Sequence, residues 1–491
     1  MNTKLFPFMF LLIAFLFSCA EKERAESTTE EEIVKNLLPA ILINEEDTTF
    51  RIEERMDKYK VPAVSIAVID GNRIIYSAAY GVKRFGDSAK VDERTLFQAA
   101  SVSKPVAAVG AVKLAQDGYF SLDKDIDSLV EGLGIDRSEF TGKINLKSIL
   151  SHSAGFGVGG FTGYFSDTSL PTVDQIISGS PVSNSPPVKL INEPGTKFSY
   201  SGGGYMIMQK VIESIINKPF DKIMKEKVFD PLNMNHTCYA PLSEEQKRTA
   251  AFGHGSGTDH LPDYAPIHVE SAAGGLWTTP SDLSKLLIEL MLAYQGRSND
   301  LLSKDTVQLM LEPRYWNYSM GFKVNGKGKD LRFSHGGATI GWYCQFIAFP
   351  KRGEAVVVMT NGEQGWVLYP EIERAVSKLL DWPILKPDRI RTFPISDDDL
   401  TNYSGKYTGD AFDPVIEINK EHLELNYGNI SWQLYPVSKD TFRIREITGE
   451  AIFYFDEKGK VEDMHLWIGQ PDWSPYRSWD FRKENPGPKE N

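Results

Sequence analysis

The chain has 491 residues, of which 41% are hydrophobic and 24% charged, and a formal net charge of -12. That length exceeds one ordinary core and predicts two domains with terminal segments. The acidic balance argues against a nucleic-acid binder, which carries a basic footprint.

Met1 to Ser18 reads as a targeting segment: Lys4 supplies a positive start, and Leu5 to Phe17 is an apolar run too short for a comfortable membrane span. It ends in Leu16-Phe17-Ser18-Cys19, which resembles a bacterial lipobox. That resemblance implies a lipidated Cys19 and an extracytoplasmic, membrane-anchored lipoprotein, periplasmic or at the cell surface. An ordinary cleaved signal with Cys19 incidental is the alternative. The polar stretch that follows predicts a flexible tether over 19–45.

A first domain is expected over 46–385. Glu45 to Lys58 has an amphipathic helical pattern. Ala63 to Ile69 and Ile74 to Tyr80 alternate as strands, with Asp70-Gly71-Asn72-Arg73 as the hairpin turn. Ser101-Val102-Ser103-Lys104-Pro105 then opens a run of small apolar residues to Leu114, stopped at Asp117-Gly118. A helix that apolar lies inside a protein, and Pro105 suits its first turn.

Ser101 and Lys104, three apart, share one helical face. A serine hydroxyl attacks only when its proton is taken, and a lysine drawn out of water can lose its charge and become that base. The same spacing recurs at Ser121 and Lys124, so the motif alone decides nothing.

Further on, Ile144 to Leu150 predicts a short helix running into Ser151-His152-Ser153-Ala154-Gly155. Gly155-Phe156-Gly157-Val158-Gly159-Gly160 fits Gly-x-Gly-x-x-Gly literally, but it neither leaves a strand nor opens a helix, and it reads as a surface loop at the rim of the site. Asp174 to Val188 reads as loop. A helix follows Tyr200-Ser201-Gly202, with others over Phe220 to Val228, Pro280 to Tyr294 and Ile372 to Leu380. Phe333 to Ala338, Trp342 to Phe349 and Ala355 to Thr360 read as strands. His254, His260 and His268 match no metal spacing, Cys238 and Cys344 read as buried free thiols, with a disulfide between them in an oxidising compartment as the alternative, and neither a metal nor a cofactor is expected.

Residues 386–395 read as a linker. Beyond it, over 396–485, short alternating strands at Val415, His422, Trp432, Thr441 and Ile452 predict a small all-β barrel or sandwich with no catalytic cluster. The tail after Arg482 reads as frayed.

Ser101-x-x-Lys104, Tyr200-Ser201-Gly202 and His335-Gly336-Gly337, in that order, resemble the motifs of the serine β-lactamase and penicillin-binding-protein superfamily. The similarity is to its class C β-lactamase, D-aminopeptidase and esterase branch. Ser151 to Gly155, Glu193-Pro194-Gly195 and Ala272 to Thr279 add to it, and it covers roughly 47 to 382. It implies an α/β sandwich: an antiparallel sheet flanked by helices, an all-helical region, and the site at their junction. It implies that Ser101 attacks a carbonyl carbon, that Lys104 and Tyr200 share its proton, and that the backbones of Ser101 and Ala338 hold the oxyanion. A neighbouring cation is expected to lower the Tyr200 pKa. Gly336 and Gly337 let the strand approach the substrate. Gly202 stands where many members carry Asn, and His335 where β-lactamases carry lysine. Both departures point away from β-lactams and toward ester or amide substrates, small molecules or peptides. A true β-lactamase and a non-catalytic peptidoglycan or peptide binder remain as alternatives.

Overall fold

The computed structural model describes residues 29–165, 169–255, 257, 259–262, 264–420, 422–469 and 477–484. The targeting segment, Cys19, the polar stretch up to residue 28 and the tail beyond 484 lie outside the described residues, as does Thr258.

The strands in chain order are β1 (Ile41–Ile43), β2 (Ala63–Asp70), β3 (Arg73–Gly81), β4 (Phe97–Gln98), β5 (Cys238–Tyr239), β6 (Leu276–Thr278), β7 (Lys323–Asn325), β8 (Arg332–Thr339), β9 (Trp342–Phe349), β10 (Glu354–Thr360) and β11 (Asp388–Ile390), followed by β12 to β19 between Gly405 and Lys483. The main sheet has the order β3-β2-β10-β9-β8-β7, antiparallel throughout. Its hairpin turns at Gly71 (φ 56°) and Asn72 (φ 60°), two adjacent left-handed residues as a tight two-residue turn requires.

Both faces of the sheet are covered, so its central strands are apolar almost without interruption. Along β10 the side chains alternate between two cores. Ala355, Val357 and Met359 face the helical region, whereas Val356 and Val358 join Val64, Ile66 and Val68 beneath the helix Gly365–Leu379. The helix Ser103–Gln116 is buried on nearly every side, as its composition predicts. Thr279 caps the helix Pro280–Gln295, accepting from the Asp282 N–H at 3.1 Å.

Several expectations are corrected. The helix expected from Glu45 starts at Ile52, because Phe50 pairs its backbone with Leu37 instead. The stretch expected as a tether is helical over 29–34 and then forms β1, which pairs in parallel with β11 inside the expected linker; Ile33, Leu37 and Ile41 are fully buried there. Apolar side chains of that size favour packing by roughly 1.5–3 kcal/mol each, which a solvated tether forgoes. Within the expected loop after Thr172, Val173–Ser178 is a helix: Thr172 and Gln175 form a capping box and Gly179 (φ 64°) ends it. The closing helix begins at Gly365, and Pro370 lies within it.

The C-terminal strands β12 to β19 close into an eight-stranded barrel. Closure needs β12 (Gly405–Gly409) and β19 (Arg477–Lys483), which the sequence reading did not pick out, to pair with each other. The barrel packs on the first domain. Trp432 meets Trp366 edge to face at 5.9 Å, and the fully buried Glu446 pairs with Lys58.

Candidate active site

The segment carrying Ser101, the candidate nucleophile, is shaped by its neighbours on both sides. Ala100 has φ 45°, an uncommon conformation for a residue with a Cβ, and it turns the chain from β4 into the helix one residue before Ser101. Ser103 holds that turn from behind: its hydroxyl donates to the Ala100 carbonyl at 2.6 Å and accepts the Leu276 N–H at 2.9 Å. Strand β8 passes very close. A Cβ on Gly337 would lie 2.1 Å from the Ala99 carbonyl oxygen and 3.1 Å from the Ser101 nitrogen, so only glycine fits.

Lys104 is buried, and its Nζ lies 3.1 Å from Ser101 Oγ and 2.7 Å from the Ala273 carbonyl oxygen. Burial lowers its pKa to about 7, so a substantial share of the amine is neutral at neutral pH. A neutral amine can donate to Ala273 while its lone pair faces the Ser101 hydroxyl.

Tyr200 closes the third side. Its ring lies 5.0 Å from Lys104 Nζ, and its hydroxyl interacts with Ser101. The lowered phenol pKa expected from the sequence is corrected: desolvation raises it, and the hydrogen bond with Ser101 only partly offsets that. Tyr200 therefore rests as a phenol. The reason is that its neighbouring amine is itself desolvated and loses charge.

His152 holds Tyr200 in place. Its ring lies 4.3 Å from the Tyr200 ring, and its Nδ1 accepts the Ser201 N–H at 3.0 Å. Burial and the nearby Lys104 and His335 keep it well below the ordinary imidazole pKa, hence neutral. Ser201 caps the helix Gly202–Ile216, accepting the Gly204 N–H at 2.8 Å and donating to Gly157 at 2.7 Å. The glycine loop read as surface is thus partly the bed of the tyrosine helix, with Phe156 buried and Gly159 accepting the Gly202 N–H.

A cavity of about 700 Å³ opens over Ser101, and Tyr200, His335, Gly336 and Ala338 line it. Gly202 does not. It is buried, and a Cβ there would press on the Phe161 ring at 3.1 Å. His335 is neutral, because burial and then the charge of Lys104 lower its pKa to about 3. Its Nδ1 faces the Gly336 carbonyl at 2.6 Å and its Nε2 accepts the Tyr318 hydroxyl at 2.6 Å. It therefore presents no charge to the cavity.

The rest of the lining escaped the sequence reading: Phe198, Trp316, Asn317, Tyr318 and Lys323. Trp316 stacks on Phe198 at 5.8 Å. The signal available was the aromatic cluster Tyr315-Trp316-Asn317-Tyr318 in a stretch with no periodicity. Other residues singled out from the sequence fall outside the site. Ser121 and Lys124 are exposed, His254 is engaged by Asn361 and the Phe85 N–H, and Cys238 and Cys344 are free, with burial pushing the Cys238 thiol up to about 12. Among the described residues no cluster has the makings of a metal site, and no helix is long and apolar enough to cross a membrane.

This is a mixed α/β fold of the β-lactamase and transpeptidase kind, with a serine–lysine–tyrosine cluster where sheet and helices meet. The sequence model of the Beta-lactamase family matches residues 51–378, and the chain belongs to that family. It is 24% identical over 326 residues to Protein flp of Staphylococcus aureus, covering 63% of this chain and 61% of flp. The chain thus spans about three fifths of the length of those relatives. It is 23% identical over 422 residues to Penicillin-binding protein 4* of Bacillus subtilis, covering 80% of this chain and 90% of that protein. A third relative, the N-acetylmuramyl-L-alanine amidase of Bacillus subtilis, is 23% identical over 431 residues, 76% of this chain and 94% of its own. The fold is also that of the octameric penicillin-binding protein homologue from Pyrococcus abyssi, with a TM-score of 0.59 and 20% identity over 88% of this chain and 98% of that one.

Proposed function

We propose that the chain is a serine hydrolase that forms an acyl-enzyme on Ser101 from an ester or amide substrate. The observation that carries this reading is the buried Lys104 amine 3.1 Å from Ser101 Oγ. The neutral amine takes the hydroxyl proton as Oγ attacks the carbonyl carbon. The tetrahedral oxyanion is met by the backbone N–H groups of Ser101 and Ala338. As the bond to the leaving group breaks, Tyr200 gives that group its phenolic proton and regains one from the Lys104 ammonium. The net proton movement is from Ser101 to the leaving group. Water then cleaves the acyl ester and releases a carboxylic acid.

The lining of the cavity supports a substrate class. Phe198, Trp316 and Tyr318 suit an apolar or aromatic acyl group, and a neutral His335 gives no positive charge of its own for a β-lactam carboxylate. The names of the amidase and penicillin-binding relatives support the amide arm. Cys19 supports an extracytoplasmic site of action behind a lipid anchor.

A fluorophosphonate probe is expected to label Ser101, with the label lost in Ser101→Ala. Turnover of a nitrophenyl ester is expected to exceed that of a chromogenic cephalosporin. Labelling that survives Ser101→Ala sinks the reading.

A further inference from the structure

Ser101 lies between two openings of unlike chemistry. Sharing Ser101 and Ala338 with the aromatic cavity is a small pocket of about 50 Å³, lined also by Lys104, Phe161, His268 and Thr339 among others. It has room for water but not for an acyl chain. His268 reaches it from a segment that also carries Glu270. Glu270 is fully buried, and neither of its carboxylate oxygens has a hydrogen-bond partner. The group facing it is His268, whose Nδ1 lies 3.5 Å from Oε2 and likewise makes no hydrogen bond. A buried carboxylate is costly unless an opposite charge or a donor faces it, so the pair is an expensive feature for mere packing.

The geometry gives it a use. A carboxylate on the Nδ1 side of the ring leaves Nε2 as the nitrogen able to accept a proton. His268 Nε2 has only a long contact, 3.4 Å to Thr339 Oγ1, on the residue after Ala338. Gly163 (φ 72°) passes this ring closely: a Cβ there would come within 3.1 Å of Nε2. Neither His268 nor Glu270 has a task in the acylation of Ser101.

We propose that His268, oriented by Glu270, is the base for deacylation, acting on water that enters through the small pocket while the acyl group fills the aromatic cavity. The proposal rests on the serine-hydrolase reading and divides its two half-reactions between Lys104 and His268. Nε2 takes one proton from water as the water oxygen bonds to the acyl carbon. The tetrahedral adduct then collapses, the bond from carbon to Ser101 Oγ breaks, and Oγ recovers a proton from the imidazolium through the cluster. Water is consumed, the acid is released, and the enzyme regains its starting protonation.

The test separates the two steps with a nitrophenyl ester in stopped flow and by intact mass of the protein. In His268→Ala the burst of nitrophenol is expected to be unchanged, while the steady-state rate falls about 100-fold. An acyl adduct then accumulates on Ser101, and added imidazole restores turnover. Glu270→Gln, nearly isosteric, is expected to lose about 10-fold in the same phase only; it carries the test should His268→Ala fail to fold by thermal melting. Equal slowing of burst and steady state, or no slowing of either, overturns the proposal while leaving the serine-hydrolase reading in place. No adduct in the parent protein or in either variant overturns both.

Discussion

The chain writes Ser-x-x-Lys twice, at Ser101 and Lys104 and again at Ser121 and Lys124, and the two copies end in opposite surroundings. Ser101 and Lys104 start a helix buried on nearly every side; Ser121 and Lys124 lie exposed in the turns that follow it. Identical side chains at identical spacing thus meet different physics. Water stabilises an exposed ammonium, whereas the interior removes that hydration and brings the Lys104 pKa to about 7. The Ala273 carbonyl and the Tyr200 ring then fix where the amine sits. What makes the first pair a candidate nucleophile and base is the burial of its lysine, and the spacing only permits it.

The comparison breaks most sharply through the lysines. Lys104→Ala is expected to slow acylation of Ser101 by on the order of 1,000-fold, read as the rate of labelling by a fluorophosphonate probe. Comparable labelling in that variant means that another group takes the proton.

The pH profile sharpens the same point. Only the neutral amine accepts a proton, so kcat/KM is expected to rise with pH through about 7, falling about tenfold per unit below it and levelling off above. Tyr200, whose pKa burial raises, adds no limb in that range. A flat profile from pH 5 to 8 counts against the neutral-lysine scheme.

Gly337→Ala tests the approach of β8 to Ser101. Its Cβ meets backbone at Ala99, so the strand must shift, at a cost of about 1–3 kcal/mol. A lower melting temperature and slower acylation are expected together. At the small end, Ser121→Ala and Lys124→Ala are expected to leave labelling unchanged and stability within about 0.5 kcal/mol, as for other surface sites.

Much of the fold was legible because its signals are local. The Gly71-Asn72 turn, the apolar run from Val106 and the alternation in β13 (Val415–Asn419) and its successors each depend on a handful of adjacent residues. The expected tether was misread because the partner of β1 is β11, some 350 residues on, and a three-residue strand has no pattern of its own. In the site, the motif residues were legible and their states were not. Tyr318 bonds His335 through a fold-dependent contact, and the segment carrying His268 comes beside Ser101 only in the folded chain.

The sequence by itself determined the residue types, their order and the apolar texture that buries the Ser101 helix. Tertiary structure decided which Ser-x-x-Lys lies in the interior, that Lys104 approaches neutrality while Tyr200 keeps its proton, and that His335 carries no charge. The reason is that protonation depends on the water removed around a group, and that water is displaced by elements far away along the chain.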